Sequence, residues 1–175
     1  WERLRSGFAL PNVRSEAIEA AREETDASAL LGQADAYLQE LVIQVERRQM
    51  PLEIALLPAV RSGFDADFES SYGEVGMWRL DELSIKGFGS TSPSGSDVRR
   101  DPGKATEIAL RLLQSYHTEF GSDWLLAIAA FSCGADTVRG VRDRLRQDKR
   151  DSEEAALMDA LSAVDCTDLA RLFVL

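Results

Sequence analysis

The sequence predicts a mainly α protein with an irregular loop region in place of a substantial sheet. Three observations carry that prediction. Apolar residues recur at i, i+3 and i+4 through most of the chain, the spacing of a single buried helix face. Stop and start signals (Gly, Pro, and Ser or Asp) fall between those periodic stretches, where helices end and begin. Half of the 12 glycines fall in one segment, residues 63–101, so backbone irregularity is concentrated there.

Each element follows in order. Residues Ser15–Glu24, SEAIEAAREE, open on a serine able to cap a helix, although Ile18 stands where a capping box would need Glu or Gln. Ala34–Arg48 places Tyr37, Leu38, Leu41, Val42 and Val45 on one stripe. Pro51 suits the first turn of a helix over Leu52–Val60,. Pro58 lies inside that stretch and is expected to bend or shorten it. The segment 63–101 is the least helical. Short helical turns are expected around Gly76–Leu83, and GFGSTSPSGSD reads as a surface loop,.

From Pro102 onward the pattern is helical again. Asp101 is placed to cap a helix with Pro102 at its first position, running to Phe120 and ended by Gly121,. Ser122 or Asp123 starts an apolar helix through Ser132, and Gly134 stops it. Ala135–Gln147 carries Val138, Val141 and Leu145 at helical spacing. Asp148–Asp151 is a charged break. Ser152 with Glu153 and Glu154 opens another helix, and a last segment covers Asp165–Leu172.

Composition narrows the function. The chain has 175 residues, 45% hydrophobic and 29% charged, a globular balance of one domain's size. We therefore expect a single domain over 1–175, with lead-in helices over 1–33 and a core over 34–175. The longest apolar run is WLLAIAAF, Trp124–Phe131, far short of a membrane span. The net charge is −10, which argues against a nucleic-acid binder. His117 is the only histidine, and no zinc-ligand spacing occurs, so neither a metal nor another cofactor is expected. Cys133 and Cys166 either form one bridge or remain two buried thiols. Spacing alone gives no geometry, and the thiols are the favoured alternative. The chain opens on Trp1 without a signal-like segment, which reads as a trimmed or mature form.

Three blocks carry a resemblance. They are MPLEIALLPAVRSGFD (Met50–Asp65), GMWRL (Gly76–Leu80) followed by RRDP (Arg99–Pro102), and FGSDWLLAIAAFSCGADTVRGVR (Phe120–Arg142). In this order they resemble the catalytic domain of lytic transglycosylases of the membrane-bound D type. WERLRSGFAL, Trp1–Leu10, is similar to that family's lead-in. The resemblance implies a lysozyme-like (goose-type, or SLT) helical fold, peptidoglycan as substrate, and an address in the periplasm or cell envelope. It also implies a cleft lined by Arg61, Ser62, Gly76, Trp78, Arg79, Phe131, Ser132 and Cys133.

The match fails where the family's chemistry sits. Arg61 stands at the position of the family's single catalytic glutamate, while Ser62 and Phe64 follow the family. Arg79 replaces a glutamine, and Phe131, Ser132 and Cys133 replace tyrosine, asparagine and usually serine. Asp168 falls near the family's late tyrosine. The family's glutamic acid protonates the glycosidic oxygen and then accepts the proton of the sugar's own 6-hydroxyl, so that an anhydro ring forms. A carboxyl group performs both steps when its pKa is tuned by burial. A guanidinium stays protonated and has no acceptor lone pair. It also repels the positive charge that develops on the sugar. Loss of acid–base help alone costs on the order of 100- to 10,000-fold.

The expectation is therefore a domain released from catalysis: a pseudoenzyme that binds peptidoglycan or docks onto an envelope protein. The alternative is an active enzyme whose acid has moved to Glu69 or Glu74. For Arg61 the plainer reading is an ion pair with Asp65, Glu69 or Glu74 that closes the cleft. The sharper one is an anion site shared with Arg79 and suited to a stem-peptide carboxylate. Trp78 reads first as a core aromatic and second as a sugar-stacking ring. Phe131 reads as core, and Cys133 as inert rather than paired with His117. The run RGVRDRLRQDKR, Arg139–Arg150, reads as a solvated helix face, and otherwise as a docking face for an acidic partner,.

Overall fold

The computed structural model describes residues 10, 13–86, 97–150, 154–164 and 166–175. Among them the regular elements are helical. The exceptions are two isolated antiparallel bridges, Glu69–Val75 and Val75–Leu80. The lead-in WERLRSGFA, the loop over 87–96, Ser152, Glu153 and Asp165 lie outside the described residues. The chain packs as two compact units, one containing Ser28–Leu112 and the other containing 13–27 with Leu113–Leu175.

In the first unit, α2 (Ala27–Leu30) and a 3-10 turn, Ala34–Ala36, precede α3 (Leu38–Arg47). The stripe foreseen over 34–48 is real, but the α-helix begins only after Tyr37, whose backbone leaves helical geometry. Leu41, Val42 and Val45 bury that stripe against a second 3-10 turn, Leu52–Leu56. Pro58 does not bend a helix. It stands in the first turn of α4 (Leu57–Ser62), where its missing N–H has no partner to lose,. Gly63 ends α4 in the left-handed conformation, φ +65°, and its N–H bonds the Ala59 carbonyl at 2.9 Å,. Phe64 follows, also left-handed, fully buried and stacked on Tyr37. Of the short helical turns expected around Gly76–Leu83, the helix that begins at Glu82 forms, while Gly76–Arg79 is a reversal. Val75 and Leu80 exchange both backbone hydrogen bonds across Gly76–Arg79. Then α5 (Glu82–Lys86) and a 3-10 turn, Val98–Arg100, lead into α6 (Pro102–Glu119), within which the division between units falls.

The second unit contains α1 (Glu16–Glu24), α7 (Trp124–Cys133), α8 (Ala135–Gln147), α9 (Glu154–Ser162) and α10 (Asp168–Leu172). Ser15 caps α1 by accepting from the Ile18 N–H at 3.2 Å. Asp123 caps α7 by accepting from Leu126, and Gly134 separates α7 from α8. α7 is apolar all round, so it buries nearly every face,. α8 and α10 pack on it, and α1 packs on α9 and α10. The cysteines are not thiols: Cys133 at the end of α7 is joined to Cys166 just before α10. Folding brings their Cα atoms to 5.6 Å, a separation that a bridge requires and that sequence spacing cannot foretell.

Candidate functional site

The site is built on an irregular backbone. Residues 63–81 carry no helix, so their carbonyls have no ladder to accept from and must find other donors. Gly76 begins the reversal with φ +78°. A Cβ there would stand 1.9 Å from the Arg99 carbonyl oxygen, so only glycine fits this close approach,. The loop then turns Met77 and Trp78 into the core, both essentially unexposed. Trp78 Nε1 donates to Thr106 Oγ1 at 2.9 Å, and that hydroxyl donates to the Pro102 carbonyl at 2.6 Å. Trp78 therefore presents no ring face to a ligand.

Arg61 lies in the last turn of α4 with its side chain only 3% exposed. Its Nε donates to the Trp78 carbonyl at 3.0 Å and its Nη2 to the Arg79 carbonyl at 3.3 Å. Nη2 also lies 3.6 Å from Glu74 Oε1. The second Glu74 oxygen accepts from Arg79, from Nη2 at 2.5 Å and from Nε at 3.1 Å. Arg79 Nη1 returns a bond to the Arg61 carbonyl at 3.4 Å, and its guanidinium sits 5.1 Å from the centre of the Phe68 ring,. Arg79 holds φ +48°, an uncommon conformation for a residue other than glycine, within the reversal that aims its guanidinium at Glu74,. Beside them Ser62 Oγ donates to the Met77 carbonyl at 2.8 Å.

Of the candidate residues, the structure brings together Arg61, Ser62, Glu74, Gly76, Trp78 and Arg79. Glu69 is turned to a different cation: its Oε2 accepts from Arg100 Nη2 at 2.5 Å, and its side chain is 64% exposed. Phe131, Ser132 and Cys133 form the last turn of α7 in the other unit, each half-buried, with Cys133 closed into the bridge. Asp168 opens α10. His117 stacks on Trp124 with ring centres 4.0 Å apart, and both cysteines are bridged, so no Cys–His nucleophile exists.

The arrangement gathers two guanidiniums, Arg61 and Arg79, around the Glu74 carboxylate. Arg61 offers donors only. Glu74 spends its acceptors on guanidinium N–H groups, and Glu69 is an exposed partner of Arg100. Two participants escaped the sequence reading. Thr106 anchors Trp78, and its signal is a hydroxyl one helical turn after Pro102 on the face of α6 that also carries the buried Ala105 and Ala109. Arg99 stitches the segment from outside. Its Nη1 donates to the Gly73 and Leu80 carbonyls at 2.9 and 3.2 Å, and its remaining donors clasp Asp97. The bond from Arg99 is the largest of the effects that hold the Asp97 carboxyl below its ordinary range, against some opposing burial,.

Comparison with known proteins bears on this geometry. The family model for the transglycosylase SLT domain matches residues 40–155, which enclose Arg61, Glu74, Arg79 and the end of α7. Over 105 residues the chain is 34% identical to membrane-bound lytic murein transglycosylase D of Escherichia coli strain K12, covering 60% of this chain and 23% of that protein. Over 105 residues it is 35% identical to a putative tributyltin chloride resistance protein of Alteromonas sp. strain M-1, covering 60% of this chain and 51% of that protein. The matched region thus amounts to less than a quarter of the length of the first relative and about half of the second.

Proposed function

This chain belongs to the transglycosylase SLT domain family, whose fold is helical and lysozyme-like, and on that premise we propose that it is a catalytically inactive member. In this reading it acts in the cell envelope, binding peptidoglycan or serving as an interaction module, with the SLT-like core over 34–175. One observation carries the reading. At the position where the resemblance places the family's acid stands a buried guanidinium, fastened to two backbone carbonyls and facing Glu74. Burial tunes a carboxyl into an acid–base catalyst, but an arginine so placed stays a cation in any working pH range. The Cys133–Cys166 bridge supports an exported location, because such bridges persist in oxidising compartments,.

The competing reading, a displaced acid at Glu69 or Glu74, draws less support. Each of these carboxylates already serves a guanidinium. The test is digestion of purified sacculi by the full chain, read by release of anhydro-muropeptides. No release is expected. Release that is abolished by Glu74→Gln or Glu69→Gln would establish the alternative and overturn the proposal. Restoring activity by Arg61→Glu alone is not expected, because the new carboxylate would face Glu74 and leave the Trp78 and Arg79 carbonyls without a donor. The informative reversal is Arg61→Glu with Glu74→Gln and Arg79→Gln together.

A further inference from the structure

We propose that the basic stripe of α8 is a docking surface for the stem-peptide carboxylates of peptidoglycan, a contact separate from the Arg61 region. The proposal rests on the reading that this domain binds the wall. Residues 135–150 carry six basic and three acidic side chains, a local excess of +3 in a chain whose net charge is −10. The excess is ordered by the helix. Val138, Val141 and Leu145 bury one face, and Arg139, Arg142 and Arg146 follow a neighbouring stripe at i, i+3 and i+7. They span about 10 Å, with Lys149 and Arg150 continuing past the helix end.

Not all of this charge is spent internally. Arg139 binds Glu119 and Asp136, and Arg146 pairs with Asp143 at 3.9 Å. Arg142, Arg144 and Lys149 have no acidic partner among the described residues. A favourable interaction with the helix dipole accounts for cations in the last turn, but not for Arg142 in the second turn.

Five of the six cations are arginines, whose planar fork pairs in a bidentate fashion with carboxylates as it does with phosphates, and the wall-binding reading supplies the carboxylates. A lipid surface is the poorer fit. The large apolar side chains of α8 are all buried, so nothing on this helix is left to insert into a bilayer,, and the acidic bulk charge opposes a purely electrostatic contact with an anionic membrane.

The experiment pellets the full chain with insoluble sacculi at low and moderate salt, comparing wild type with Arg142→Gln/Arg146→Gln/Lys149→Gln. Circular dichroism confirms that the variant remains folded. A second arm uses sacculi whose carboxyls have been converted to amides. The expected result is retention of the wild type at low salt, and retention weaker by about tenfold for the variant and for the amidated wall. Equal retention of variant and wild type, or of native and amidated sacculi, would overturn the stripe while leaving wall binding standing. A wild type that never pellets overturns both this inference and the wall-binding reading. Binding to phosphatidylglycerol vesicles without binding to sacculi would transfer the stripe to a membrane and overturn it as well.

Discussion

The irregular segment after α4 and the helix α8 use arginine in opposite ways. Around the segment, four guanidiniums point inward at backbone carbonyls. Arg61 reaches Trp78 and Arg79, Arg79 reaches Arg61, Arg99 reaches Gly73 and Leu80, and Arg100 reaches Asp67. In α8 the backbone carbonyls are satisfied along the helix itself, and the arginines face solvent or surface carboxylates, with Arg144 alone returning a long bond, 3.4 Å, to the Gly140 carbonyl of its own helix among the hydrogen bonds described. The residue type is the same, and the need of the neighbouring backbone decides its role. A chain that leaves the helix must replace the lost ladder with donors, and arginine supplies five without adding an acceptor to be satisfied.

That contrast breaks most visibly at its two extremes. Arg61→Leu removes the donors from two buried carbonyls and one cation from Glu74, and should lower unfolding free energy by about 4 kcal/mol. Arg142→Leu on α8 should leave the urea midpoint unchanged within error. Equal losses at the two sites would show that the inward bonds contribute no more than surface charge, and the comparison would fail.

The same contrast explains what could be read from the chain. Helix ends were legible because their signals are local: Ser15, Asp101 and Asp123 each accept from the backbone N–H three residues on, and Gly121 and Gly134 terminate where expected. Pro58 misled, because the 3-10 turn over Leu52–Leu56 restarts the count and turns an interior proline into a first-turn one. The reversal at Gly76 was hidden because it depends on distant atoms, the Arg99 carbonyl and the Phe68 carbonyl that accepts from the Gly76 N–H. Within the candidate site, the resemblance located Arg61 and Arg79. It could not choose among Asp65, Glu69 and Glu74, since that choice is made by the fold of the reversal.

In the second unit a covalent tie stands where the last helix begins. The Cys133–Cys166 bridge closes a loop with a sequence separation of 33. Replacing both cysteines by serine should cost about 3 kcal/mol, chiefly by freeing the unfolded chain. Thermal melts with and without reductant measure it. If reductant leaves the melting temperature of the wild type unmoved while the bridge is shown to be open, the tie is dispensable, and packing of α10 on α7 and α1 suffices.

The smallest expected effect tests whether the outer stitch, Arg99, depends on its clasp. Asp97 caps the 3-10 turn over Val98–Arg100 and binds the Arg99 guanidinium through both carboxylate oxygens. Its folded pKa lies below the ordinary 3.8, first because of that side-chain bond. A carboxyl depressed in the folded state contributes its stability above the unfolded pKa and loses it as pH falls through the folded value. Part of the acid unfolding should therefore appear below pH 3.8 and be absent in Asp97→Asn. At neutral pH the same variant should lose about 1 kcal/mol, the scale of a weakened cap. If Asp97→Asn loses nothing at neutral pH and retains the full acid transition, Arg99 holds the Gly73 and Leu80 carbonyls without being oriented by Asp97. The segment's order would then rest on the inward bonds alone.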